Sequence, residues 1–154
     1  MKIVLTLVIC IIAYFIILTS TVAHTNEHRR KWSIGLGNPY VSLKYSASPG
    51  FSIEGRGAFG SGISVYSLRI YHNFSRRDKT IAFIGGEAGT INFDKPDIEG
   101  NGYLGMIFLG FEHFITKRLT FLLDIGPAYI SLSSEETSVE GIEWVYNLGV
   151  NIYF

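Results

Sequence analysis

The sequence is poor in cysteine and in charge. Its one cysteine, Cys10, leaves no partner for an intramolecular disulfide. Asp, Glu, Lys and Arg together make up only 17% of residues, and the 13 basic and 13 acidic side chains cancel to a net charge of zero. Electrostatics therefore offer no case for nucleic-acid binding. Sparse charge beside 14% aromatics and 17 glycines also excludes a disordered polar chain. Beyond the N-terminus there is no sustained helical period, and glycine is too frequent for long helices. A length of 154 residues bounds the answer to one domain.

Long apolar runs are absent except at the N-terminus. Ile3 to Leu18 is uncharged and almost wholly apolar, Lys2 precedes it, and Thr19-Ser20-Thr21-Val22-Ala23 supplies small residues for cleavage after Ala23. This is the layout of a secretory signal peptide over residues 1–23. The rival is an uncleaved anchor, since the run approaches the lower limit for a spanning helix. Leu7-Val8-Ile9-Cys10 is not read as a lipoprotein box, because Ile9 is too bulky before the cysteine and the position is too early. Cleavage removes only Lys2 among the charges, leaving 12 basic and 13 acidic residues, no thiol, and a polar leader over 24–31.

From Trp32 to Phe154 the pattern has period two, with β-branched and aromatic residues dominant. In the last segment Trp144, Tyr146, Leu148, Val150, Ile152 and Phe154 share one face, against Glu143, Val145, Asn147, Gly149, Asn151 and Tyr153. Comparable alternation marks strands over Trp32–Gly37, Tyr40–Ser46, Phe51–Phe59, Gly62–Phe74, Gly102–Ile115 and Leu119–Leu132. Thr80–Phe93 fits less well: with Glu87 inward, Ile81, Phe83 and Ile91 also point inward, unless a bulge at Gly85-Gly86 switches the phase. Asn38-Pro39 reads as a tight turn because the apolar phase passes there from even to odd positions. If it were only a kink, eight strands would become seven. The even count is preferred because it returns both ends of a barrel to one side of a membrane. Connections at Ser46–Gly50, Ser75–Lys79 and Thr116–Arg118 read as short turns. Asn92–Gly100 and Ser133–Gly141 read as longer acidic loops at the opposite end.

The charged faces hold Lys44, Glu54, Arg56, Arg69, Glu87, Glu112, Asp124 and Glu143, about one per strand, and the opposite faces are charge-free and aromatic. A soluble barrel would hide the apolar face and carry several charges per strand outside. The predicted fold is therefore all-β: an eight-stranded antiparallel up-and-down transmembrane β-barrel over 32–154, with the charges inside and the apolar face toward lipid. Trp32, Tyr66, Tyr103, Tyr129, Trp144 and Phe154 fall where an interfacial girdle belongs.

The terminal Tyr146-Asn147-Leu148-Gly149-Val150-Asn151-Ile152-Tyr153-Phe154 resembles the C-terminal β-signal of outer-membrane barrel proteins, which alternates apolar residues and ends on an aromatic. Tyr146, Leu148, Val150, Ile152 and Phe154 carry the likeness. It implies export to a bacterial outer membrane, recognition by the barrel-assembly machinery of Gram-negative bacteria, and contact with membrane lipid and lipopolysaccharide. In size and strand plan the chain is similar to the small OmpA-like and OmpX-like barrels.

No motif points to a cofactor, a metal or a catalytic centre. Gly55-Arg56-Gly57-Ala58-Phe59-Gly60 spells G-x-G-x-x-G, but Ser61-Gly62-Ile63-Ser64-Val65 after it reads as a strand and not the helix a dinucleotide site needs. Asn73-Phe74-Ser75 matches a glycosylation sequon that is incidental in a bacterial barrel. Asp94-Lys95-Pro96-Asp97 and the Ser133–Thr137 segment match no calcium loop. His72 and Ser75 are the only close His/Ser pair on a strand end, and a spacing of three sets them on opposite faces. A lipid-modifying enzyme is thus a lesser alternative. Small barrels have filled interiors, so the charges are expected to form a salt-bridged plug, with a narrow solute pore lined by the same residues as the runner-up. The leading expectation is an anchoring or surface-interaction barrel.

Overall fold

The computed structural model describes residues 31–95, 98–134 and 137–154, with no account of the side chains at 95 and 98. The predicted signal peptide, Cys10 and leader residues 24–30 lie outside the described residues, as do Asp97, Glu135 and Glu136.

The described chain is all strand: β1 Trp32–Gly37, β2 Tyr40–Ser48, β3 Phe51–Gly60, β4 Ile63–Arg77, β5 Thr80–Lys95, β6 Ile98–Phe114, β7 Leu119–Ser134 and β8 Ser138–Tyr153. Each pairs antiparallel with the next, and β1 closes the ring against β8, Ser33 opposite Tyr153 and Gly37 opposite Gly149. Asn38-Pro39 is a true turn. β1 and β2 pair from Trp32 opposite Tyr45 to Leu36 opposite Val41, so eight strands stand and not seven. Proline has no N–H to give to a ladder, which suits it to this connection. Ser61-Gly62, with φ of 39° and 77°, turns β3 into β4. Positive φ at both central residues matches the right-handed twist of the flanking strands. The G-x-G-x-x-G stretch therefore closes β3 and leads into a strand.

Three details settle or change the sequence reading. First, β5 runs without interruption through Gly85-Gly86, and Ile81, Phe83 and Ile91 face inward with Glu87. The barrel interior accepts these apolar side chains, so no phase switch is needed. Second, the register does shift in β4, between Asn73 and Ser75 opposite Phe83 and Ala82. That extra residue brings Ser75 onto the outer face with His72, against the expectation of opposite faces. Third, the long outer loops are mostly strand. β5 and β6 pair out to Lys95 opposite Ile98, and β7 and β8 to Ser133 opposite Ser138. Polar residues there reflect exposure of the sheet and not loss of its hydrogen bonds.

The wall has two heights. β1, β2 and β3 contain 6, 9 and 10 residues, whereas β4 to β8 contain 15 to 17. Because β1 reaches only to Gly37 opposite Gly149, the stretch Ser138–Leu148 of β8 pairs with β7 alone. Its outward residues Ile142, Trp144 and Tyr146 are the most exposed large apolar side chains described, at 73%, 70% and 77%.

Candidate functional site

Alternation sends one side chain in two into the ring, and closure brings residues far apart in sequence within contact. Four strands supply the centre of the interior. Arg69 on β4 is fully buried and forms a bidentate pair with Asp124 on β7, at 2.9 Å from Nη1 and 2.8 Å from Nη2. Its Nε lies 3.0 Å from Glu87 Oε2 on β5, a charge contact in which the N–H misses hydrogen-bond alignment. Its guanidinium also stacks 3.6 Å from the centroid of Phe108. A planar fork that pairs twice and stacks once is geometry that lysine does not offer.

Beside it, Arg56 Nε donates to Glu54 Oε1 at 2.9 Å, and the Arg56 guanidinium lies 3.9 Å over the Tyr40 ring. Tyr71 O–H donates to the other Glu54 oxygen and accepts from Arg69 Nη1 at 3.1 Å and Arg56 at 3.3 Å. Tyr40 owes its place to two glycines, since a Cβ at Gly37 or at Gly149 would overlap its ring or its hydroxyl.

Toward the end that carries Trp32 and Phe154, Lys44 Nζ donates to Glu112 Oε2 at 2.8 Å. The other Glu112 oxygen accepts from Thr120 Oγ1 at 2.6 Å, Asn151 Nδ2 at 2.9 Å and Tyr153 O–H at 2.8 Å. Lys44 also sits 4.4 Å over the Tyr71 ring. Tyr71, Phe83, Met106, Phe108, Leu122 and Ala128 form an apolar cluster between these pairs. Side chains thus fill the interior at this level, and the buried cations Lys44, Arg56 and Arg69 each have a carboxylate partner. An unpaired buried charge would cost several kcal/mol.

Seven of the eight charges singled out from sequence meet here. Glu143 does not. It stands in the paired row Arg69–Glu87–Met106–Ala128–Glu143 and in the inward phase, yet it is exposed. The reason is local: at that height β8 is paired with β7 on one side only, because its pairing with β1 ends at Gly37 opposite Gly149. The neutral partners Tyr40, Tyr71, Thr120, Asn147, Asn151 and Tyr153 were not singled out. Their parity was the available signal, since Tyr71 is two residues from Arg69, and Asn147, Asn151 and Tyr153 share the phase of Glu143. Of the terminal residues, Tyr146, Leu148, Ile152 and Phe154 are exposed, and Val150 is half-buried. His72 faces outward with its Nε2 buried and without a hydrogen-bond partner. His113, also outward, contacts Thr80 Oγ1 through Nδ1 at 2.9 Å.

Above the charged level, at the end away from Trp32 and Phe154, lies an open vestibule of about 1480 Å3. Ile63, Phe93, Leu132 and Val139 line it, together with serines, asparagines, Asp94 and Glu99. No known protein-family model matches the chain, and no curated protein matches it.

Proposed function

We propose that the chain is an integral β-barrel of a Gram-negative outer membrane that acts as an anchor, its interior closed by ion pairs and its tall β4–β8 hairpins raised outside. One observation carries this reading. From Tyr66, Tyr103 and Ile142 down to the turns at the other end, no described Asp, Glu, Lys or Arg on the strands β1 and β3 to β8 points outward before their last residues, and none does on β2. Arg69, Arg56, Lys44 and their carboxylates point inward and neutralise one another. Such a surface is unfavourable in water and suited to lipid. The longer strands exceed the roughly 9–11 residues a tilted transmembrane strand needs. The terminal Tyr146–Phe154 pattern supports outer-membrane assembly, and the filled interior supports an anchor over a solute pore.

The test is to refold residues 24–154 into detergent micelles. The folded barrel should migrate differently from the boiled sample on a gel, need detergent to remain in solution, and give no conductance steps in planar bilayers. A chain that stays soluble without detergent and shows no heat-dependent mobility overturns the membrane placement. Discrete steps abolished by replacing Arg56 or Arg69 would overturn the closed interior and favour the pore.

A further inference from the structure

Charge is unevenly distributed along the barrel axis. At mid-height Lys44, Arg56 and Arg69 are paired inside with Glu112, Glu54 and Asp124. Toward the end away from Trp32 and Phe154, the described charged side chains are the carboxylates Asp94, Glu99, Glu140 and Glu143, all exposed. The opposite end carries Lys31, Arg76, Arg77, Lys79, Lys117 and Arg118, also exposed, against a single described carboxylate, Asp78. Asp78 has a φ of 50° and makes the β4–β5 turn, a conformation that aspartate tolerates better than most residues. The turn accounts for the acid. It does not account for the bases around it.

The fold fixes these bases as a rim. Lys31 C=O accepts from Ser46 N–H, Lys79 C=O from Phe114 N–H and Arg118 C=O from Tyr153 N–H, each at 2.7 Å. Each bond carries a strand ladder one residue past its last pair, so the rim is held by the same kind of hydrogen bond as the wall. On the outer face next to it stand Trp32, Phe74, Ile115 and Phe154, all exposed. An apolar belt that ends in a positive ring is complementary to a leaflet whose hydrocarbon ends in negative phosphates. Anionic lipid attracts Lys and Arg beside a membrane, and the attraction fades within a Debye length. The carboxylate end would be repelled by the same surface.

We propose that the rim of Lys31, Arg77, Lys79, Lys117 and Arg118 is a docking surface for the anionic phospholipid headgroups of the leaflet around that end of the barrel. The proposal rests on the membrane placement and adds to it a lipid class and a direction along the barrel axis.

The two tryptophans of the chain allow both ends to be read. Trp32 stands beside the rim, and Trp144 lies on the outer face of β8 toward the other end. Trp144→Phe leaves Trp32 as the reporter, and Trp32→Phe leaves Trp144. Residues 24–154 are refolded into vesicles of phosphatidylcholine and phosphatidylglycerol in equal amounts, with bromine on the acyl chains of one lipid or the other to quench fluorescence. Arg29 and Arg30, which precede Lys31 in the sequence, are replaced by Gln in all samples, so that the rim alone is tested. At low salt, Trp32 should report phosphatidylglycerol as its neighbour over phosphatidylcholine by roughly threefold or more, and Trp144 should show no such preference. Lys31→Gln/Arg77→Gln/Lys79→Gln/Arg118→Gln, altered only at exposed positions, should abolish the preference at Trp32, and high salt should do the same in the unaltered rim. Equal quenching of Trp32 by both brominated lipids overturns the proposal and leaves the membrane placement standing. A preference that survives the fourfold variant overturns the assignment to the rim. No quenching of either tryptophan by either lipid overturns the placement and the proposal together. Retained heat-dependent mobility establishes that each variant is folded.

Discussion

The lower and upper halves of this barrel are built from the same strands, with the same period of two, and in opposite sense. Below Tyr66 and Tyr103, Leu68, Ile70, Ile107 and Leu109 face out while Arg69 and Glu112 face in. Above them Ser64 and Asn101 face out while Ile63 and Val65 face in. No register shift separates the halves in β5, β6 or β8. The inversion is therefore written in side chains alone. Alternation tells which residues share a face. It does not tell which face meets solvent, and the answer here changes along a single strand.

The strongest way to break this contrast is at Arg69. Arg69→Leu leaves Asp124 and Glu87 without their cation inside the closed interior. Loss of one partner from a buried pair costs about 3–5 kcal/mol, so the urea midpoint of the refolded barrel should fall sharply. Adding Asp124→Asn in the same chain should recover part of the loss, because one orphaned carboxylate disappears; a double-mutant cycle isolates the coupling. A shift no larger than that of an ordinary surface substitution would mean that water reaches the lower interior.

Much of this arrangement was legible in the sequence, for physical reasons that also explain what was not. Arg69, Glu54 and Asp124 could be assigned to one side because their neighbours at odd spacing are apolar, as a pleated strand demands. The turn at Asn38-Pro39 was legible as a change of phase. The shift between Asn73 and Ser75 was not, because an extra residue in one strand leaves no mark on composition. Ile81 and Phe83 looked misplaced only if the whole inward face had to be polar, whereas both are buried and Phe83 packs with Tyr71 and Phe108 among the ion pairs. The outer ends were read as loops because Asn92, Asp94 and Ser133 are turn-forming residues. Cross-strand hydrogen bonding, which composition does not record, keeps them in strands.

The outward face offers a second break in the comparison, of smaller size. Ile107→Arg and Asn101→Arg place the same charge on the outer side of β6, six residues apart. A charge at the middle of a bilayer costs a barrel about 2–4 kcal/mol, and one near the interface about 0–1 kcal/mol. Refolding into lipid vesicles should therefore be penalised by Ile107→Arg and nearly indifferent to Asn101→Arg. Equal small effects would place both residues in water, and the lower half would then be the soluble barrel that its apolar exterior argues against.

The smallest effect is expected at Glu143, and it sharpens the contrast within a single row. Glu87 and Glu143 lie on the same line of paired residues and in the same inward phase. Glu87 faces Arg69 at 3.0 Å and accepts from Ser67 Oγ at 2.6 Å. Glu143 is exposed, because β1 ends opposite Gly149 and leaves the upper edge of β8 without a neighbour. Glu143→Gln should change stability by no more than about 0.5 kcal/mol, as surface substitutions do. Glu87→Gln should lower it measurably, since Arg69 keeps only Asp124. Paired urea titrations decide. A comparable loss from both would mean that the upper edge of β8 is covered in the folded protein, and that the wall beside it stands higher than Gly37.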